Sequence, residues 1–254
     1  MRFCRTGSLL LLLGLPAILA AKDGPPPRPG WTLVFADEFR GAALSRERWN
    51  VLPREQSKHG ELQYYGPDEV FVENGLLRLR SRAREFGPQR YTSGRVDTSG
   101  KFATTYGRFE IRARLPRGKG LWPAHWLYPQ QRDWAMERLM AKAVAEGDEK
   151  LIPEARPWYT EIDIMEFLGH ETNVAYGTLH FHSFAGEKKV SSGTLRGDVD
   201  LTADFHVYAL EWDPDEIRWY VDGRQIHATR EGVPHAPHYL ILNTAVGGGW
   251  PGNP

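Results

Sequence analysis

What this chain lacks narrows its function before any motif does. It has one cysteine in 254 residues, Cys4, close to the start. A lone thiol allows no internal disulfide and no cysteine-based metal site. Neither sign of charge dominates, with 32 basic against 32 acidic side chains. There is thus no basic field to hold nucleic acid, and no charge run reads as a tail. Long apolar runs are missing too: Leu9–Ala20 falls short of the roughly 20 residues that cross a bilayer. No internal repeat or low-complexity tract is found.

The same short run has another reading. Arg2 and Arg5 precede it, so Met1–Ala21 is expected to be a secretory signal whose last removed residue is Ala20 or Ala21. The alternative is a retained anchor. Cleavage would take Cys4 with it and leave a slightly acidic chain, secreted to an extracellular or periplasmic space and free of the membrane. Residues 22–30, with Pro25, Pro26, Pro27 and Pro29, read as a short extended linker, and residues 31–254 as a single domain. That domain is rich in aromatics, with nine Trp and ten Tyr in the chain. Aromatic faces stack on sugar rings, but they also fill cores.

From Trp31 onward the chain alternates short β-patterned segments with turn residues. Phe109, Ile111, Ala113 and Leu115 alternate with Arg108, Glu110, Arg112 and Arg114, giving one buried and one wet face. Asn74-Gly75 and Asp222-Gly223 are two-residue hairpin signals. Twelve segments, from Trp31–Phe35 to Tyr239–Val246, read as strands, which predicts an all-β, two-sheet sandwich. One stretch breaks the pattern. Residues 131–150 carry Trp134, Met136, Leu139, Met140, Ala143 and Val144 at helical spacing, with Gly147 as a stop. An inserted helix is expected there, walling one end of a cleft or simply docked on its rim.

The chemistry concentrates in Glu161-Ile162-Asp163-Ile164-Met165-Glu166-Phe167. On a strand, alternate side chains face opposite ways, so Glu161 and Asp163 share a face while Ile162 and Ile164 enter the core. Strict alternation would bury Glu166 alone, at a cost of several kcal/mol. A β-bulge at Ile164 or Met165 avoids this, returning Glu166 to its companions and Phe167 to the core. Carboxylates about 5–5.5 Å apart can cleave a glycosidic bond with retention, one as nucleophile and the other as acid and then base. Crowding like charges raises one pKa and separates those roles. The bland reading is a charged strand on a solvated face, which strand composition disfavours.

Glu161–Glu166 resembles the E-[ILV]-D-x-x-E signature of glycoside hydrolase family 16, in the bulged form of its laminarinase-like branch. The likeness extends through Trp31-Thr-Leu-Val-Phe-Ala-Asp-Glu-Phe39, Glu61-Leu-Gln-Tyr-Tyr65, Tyr91-Thr-Ser-Gly-Arg95 and Gly120-Leu-Trp-Pro-Ala124, and ends in Ala245-Val-Gly-Gly-Gly-Trp-Pro251. The resemblance implies a curved jelly roll with a concave cleft, closed by a C-terminal strand that this sequence, ending at Pro254, does not include. It implies that Glu161 is the nucleophile, Glu166 the acid/base and Asp163 their assistant. Trp122 and Trp126 match sugar-stacking tryptophans, their alternative being core packing. Glu61 and Arg95 match polar substrate contacts, or else are surface ion-pair partners. His180 matches a histidine near the cleft floor, and Asn243 and Trp250 match residues at its edge.

The implied substrate is a β-glucan, foremost β-1,3-glucan, cut by a monomer without a cofactor. Mixed-linkage glucan, an agar-type galactan, transglycosylation and non-catalytic sugar binding are the alternatives. Gly60 and Gly249 stand where this branch often carries Asn, removing two groups that could bond sugar hydroxyls. Some relatives hold structural calcium near both termini, and without the closing strand a complete site is not expected. His180 and His182 share a strand face at a zinc-binding spacing, but no third ligand motif accompanies them, so no metal is expected.

Overall fold

A computed structural model describes residues 28–51, 53–55, 59–131, 160–182 and 187–254. The expected signal segment, most of the linker and all but the first residue of the expected 131–150 helix lie outside these residues. The chain divides into two compact units, Met1–Glu38 and Phe39–Pro254. In the first, Trp31–Phe35 does not form the strand expected of it. Trp31, Leu33 and Val34 are all exposed, so their side chains do not alternate between a core and water as a strand's would.

The second unit is built of strands. In chain order they begin with β1 (Arg54–Glu55), β2 (Gln63–Tyr65), β3 (Val70–Glu73), β4 (Leu76–Leu79), β5 (Tyr91–Ser93) and β6 (Arg95–Asp97). Then come β7 (Gly107–Ala113), β8 (Leu121–Pro129), β9 (Thr160–Glu166), β10 (Val174–His182) and β11 (Lys188–Arg196). The last are β12 (His206–Trp212), β13 (Ile217–Val221), β14 (Arg224–Thr229) and β15 (His238–Val246). A six-stranded antiparallel sheet runs β11-β10-β9-β8-β15-β6, and a four-stranded one runs β14-β13-β12-β7. Both Gly-containing turns behave as their sequences require. Asn74 and Gly75 have φ of 52° and 71°, and Asp222 and Gly223 have 48° and 77°, the left-handed pair of a tight hairpin turn.

The two large sheets form the layers of the sandwich. Met165 and Phe167 at β9 and Ala175 of β10 meet Tyr208 of β12 and Val221 of β13 in a buried cluster with Leu115 and Leu201. Two histidines enter the same interior. His125 of β8 lies edge-on to Tyr208, with ring centroids 5.9 Å apart, and burial pulls its imidazole down to about 3. His238 of β15 stands 5.2 Å from the Trp212 ring and is likewise pulled down by burial, to about 4.

The expected bulge is present and fixes the site. Asp163 is opposite Trp126 and Met165 is opposite His125, so Ile164 is the extra residue against β8. On the other side, Asp163 pairs with Thr178 and Glu166 with Tyr176, leaving only Gly177 opposite Ile164 and Met165. Ile162, Ile164, Met165 and Phe167 are all buried. The second sheet stabilises the disrupted ladder: the buried Trp219 of β13 donates its indole N–H to the Asp163 carbonyl at 2.8 Å. A buried indole N–H needs such an acceptor, and the carbonyl beside the bulge supplies it. Gly177 makes room for that indole, because a Cβ there would sit 2.5 Å from Trp219 Cδ1. Gly177→Ala should therefore cost about 1–3 kcal/mol of unfolding free energy in a urea titration. The penalty should shrink in a Trp219→Leu background, since the two residues act through one contact.

Candidate active site

Register alone gathers the candidate residues on one face of the six-stranded sheet. Directly opposed residues of an antiparallel pair project to the same side. Glu161, Asp163 and Glu166 of β9 oppose His180, Thr178 and Tyr176 of β10, and Asp163 and Glu166 oppose Trp126 and Ala124 of β8. Ala124 in turn opposes Asn243 of β15, and Asn243 opposes Arg95 of β6. Trp122 shares that side of β8 by its even spacing from Ala124. One wall thus carries carboxylates, tryptophans, an arginine and an asparagine, while the opposite side of the same strands is core.

At the centre, ligand atoms of Glu161, Asp163 and His180 lie within 4.8 Å of one another, and His180 Nε2 is 3.2 Å from Asp163 Oδ2. Asp163 is 4% exposed. Burial first, and then the neighbouring Glu161 charge, push its carboxyl well above its ordinary value. Glu166 is raised as well, mainly by burial and next by Asp163, with His180 pulling the other way. Trp122 Nε1 donates to Glu166 Oε1 at 3.0 Å, which orients the carboxyl and favours its charged form. Burial therefore biases two of the three acids toward their protonated forms.

A second chain of contacts runs along the wall. Trp126 Nε1 donates to Asn243 Oδ1 at 2.7 Å, and Asn243 Nδ2 donates to the Tyr65 hydroxyl at 3.1 Å. The Arg95 guanidinium lies 5.5 Å from the Trp126 ring centroid and 3.6 Å from Asp97. Arg95 and Asn243 are both buried, and Arg95 is paired with a buried Asp97, so it is not the surface ion-pair partner that an arbitrary Arg would be. Glu61 is buried too, and its Oε2 accepts the His59 N–H at 2.8 Å. The His59 ring is 6.4 Å from Trp122, which ties this loop to the carboxylate end of the wall. Trp250 stands edge-on to Trp122 at 5.4 Å and to Tyr176 at 4.9 Å while remaining 43% exposed.

Sequence reasoning missed Tyr176, Tyr65, Gly177 and Trp219. Tyr176 opposes Glu166 in the ladder, and its hydroxyl donates to Glu171 at 2.6 Å. Even spacing from His180 was the one signal that could have found it. Trp219 has no local signal, because its role depends on a contact between sheets.

With this geometry in view, comparison with known proteins is decisive. The chain is 36% identical to a beta-glucanase of Rhodothermus marinus over 271 residues, covering 98% of this chain and 86% of that protein. It belongs to glycoside hydrolase family 16. The "Glycosyl hydrolases family 16" profile matches residues 150–254, and that of "Beta-glucan synthesis-associated protein SKN1/KRE6/Sbg1" matches residues 18–130. Among solved structures, the laminarinase catalytic domain of Thermotoga maritima is similar, with a TM-score of 0.68 and 37% identity over 88% of this chain and 90% of that one. So is a LamA variant of Z. galactanivorans in complex with laminaritriose and laminaritetraose, with a TM-score of 0.69 and 30% identity over 87% and 91% of the two chains. The family 16 jelly roll is thus the sandwich described above, and this chain is a glycoside hydrolase of the laminarinase-like type.

For a family 16 enzyme, the Trp122–Glu166 bond gives a pH test. Activity that needs Glu166 protonated should persist well above its ordinary 4.5, because burial raises its pKa. Trp122→Phe removes a donor that favours the carboxylate, so Glu166 should hold its proton to still higher pH. The basic limb of the kcat/KM profile should move upward, measured on a soluble oligosaccharide. A limb unmoved or shifted downward would count against Glu166 as the titrating group.

Proposed function

We propose that this chain is a secreted endo-β-glucanase that cleaves β-1,3-glucan with retention, as a monomer and without a cofactor. The observation that carries the reading is the bulge, which sets Glu161, Asp163 and Glu166 on one face beside two tryptophans. Protonated Glu166 gives its proton to the glycosidic oxygen as the C1–O bond breaks, and the Glu161 carboxylate bonds to C1. Glu166, now a carboxylate, takes a proton from water; the water oxygen bonds to C1 and releases Glu161. Asp163 stands between them, its carboxyl pushed upward by burial and by the Glu161 charge. Trp122, Trp126 and Trp250 offer stacking faces for the sugar. Glu61, Arg95, His180 and Asn243 supply polar contacts along the same wall.

The relatives named above support the choice of polymer, and the Leu9–Ala20 run behind Arg2 and Arg5 supports secretion. Mixed-linkage glucan and agar-type galactan are the competing substrates, and transfer to sugar instead of water is the competing outcome. Incubation with laminarin, lichenan and agarose should release oligosaccharides from laminarin foremost. No release from any polymer, with retention on a glucan column, would mean a binding protein instead. Glu161→Ala should reduce turnover by about 10³-fold or more. Added azide should restore cleavage, giving a glycosyl azide of inverted configuration, whereas undiminished turnover in this variant would remove Glu161 from the nucleophile role.

A further inference from the structure

We propose that Glu161, Asp163 and His180 together bind a divalent transition-metal ion such as Zn²⁺, and that the bound ion shuts the enzyme off. The three come from two neighbouring strands, with His180 directly opposite Glu161 in the β9–β10 ladder. Their ligand atoms lie within 4.8 Å of one another. The Asp163 Oδ2 to His180 Nε2 separation is 3.2 Å. Zinc bonds of about 2.0–2.2 Å in a tetrahedron put ligand atoms about 3.3–3.6 Å apart, so this edge is nearly formed. Glu161 is half-buried and carries a long side chain, and its carboxylate lies within 4.8 Å of the other two.

A second observation is independent of the clustering. Asp163 is 4% exposed, and its Oδ2 has no hydrogen-bond partner despite the nearby imidazole nitrogen. The two atoms are close without being aligned as donor and acceptor. A buried carboxylate oxygen in that state calls for a partner from outside the chain. The donor set selects the class of ion. One imidazole and two carboxylates suit zinc or copper, whereas calcium and magnesium prefer six or more oxygens. Three protein ligands leave a fourth position for water, as in open zinc sites. His180 thus finds its co-ligands across the ladder, in Asp163 and Glu161, and not in His182 of its own strand.

Binding stands on this geometry alone; inhibition also rests on the proposed role of Glu161, whose carboxylate the ion would occupy. Calorimetric titration of the intact protein with Zn²⁺ should give one ion per chain. Outer partners of metal ligands are by themselves worth about 10–100-fold in affinity, so His180→Ala should weaken binding by at least that much. His170→Ala, at an exposed histidine elsewhere, should leave binding unchanged. If His180→Ala does not fold, Asp163→Asn carries the same expectation. Laminarin cleavage should fall with the same Zn²⁺ dependence, recover with EDTA and ignore Mg²⁺. Failure of Zn²⁺ to bind at millimolar concentration, or binding that survives both substitutions, would overturn the site, and binding without loss of activity would overturn the shut-off. One-to-one binding in a protein that cleaves none of the three polymers would sink the glucanase reading and leave the metal site standing.

Discussion

The hydrogen bond from the Trp219 indole to the Asp163 carbonyl is the constraint on which the site's geometry depends. A bulge leaves backbone groups outside the ladder, and in a sandwich those groups face a dry interior. Strict alternation would instead point Glu166 into the core and leave Glu161 and Asp163 on the other face without it. The four-stranded sheet contributes none of the candidate cleft residues, yet it bonds to the bulged backbone that brings the three acids to one face. Gly177 completes the arrangement by leaving the space that the indole occupies.

The charges on the wall follow from the same geometry. Burial, and then the crowding of three acids, raises Asp163 and Glu166 above their ordinary values. The Trp122 N–H and the His180 ring work against that rise at Glu166. Catalytic residues of a glycosidase need this opposition, since one carboxyl must hold a proton that it can release within a single turnover. Buried Arg95, Glu61 and Asn243 extend the polar wall away from the acids, held by the Trp126 ring, the His59 N–H and the Trp126 indole N–H respectively.

Much of this could be read from the chain because the relevant patterns are local. The Glu161–Phe167 stretch carries its bulge in the order of its residues, since an unpaired buried acid is costly and a one-residue slip removes the cost. Asn74-Gly75 and Asp222-Gly223 specify their turns by left-handed φ values that few other pairs accept. The strand Lys188–Arg196 was not legible. Its Lys, Ser and Gly residues lie at the edge of the six-stranded sheet, mostly exposed, and lack the apolar alternation that marks a half-buried strand. Trp31–Phe35 misled in the opposite sense, with apolar residues that remain exposed. Trp219 and Tyr176 escaped notice because their roles arise from contacts across the fold, which no short window of sequence contains.

The two histidines packed behind the candidate wall have a consequence for the conditions in which this protein survives. Native His125 and His238 refuse protons down to about 3 and about 4, while the unfolded chain accepts them from the ordinary 6.5 downward. Acid therefore favours the unfolded chain progressively below 6.5. Asp163 and Glu166 work in the other direction: the native state keeps protons that the unfolded chain gives up above the ordinary 3.8 and 4.5, so rising pH weakens the fold. The two tendencies overlap and partly cancel in mildly acidic solution. A fold tuned in this way tolerates a modest swing in acidity around that region better than a move far to either side.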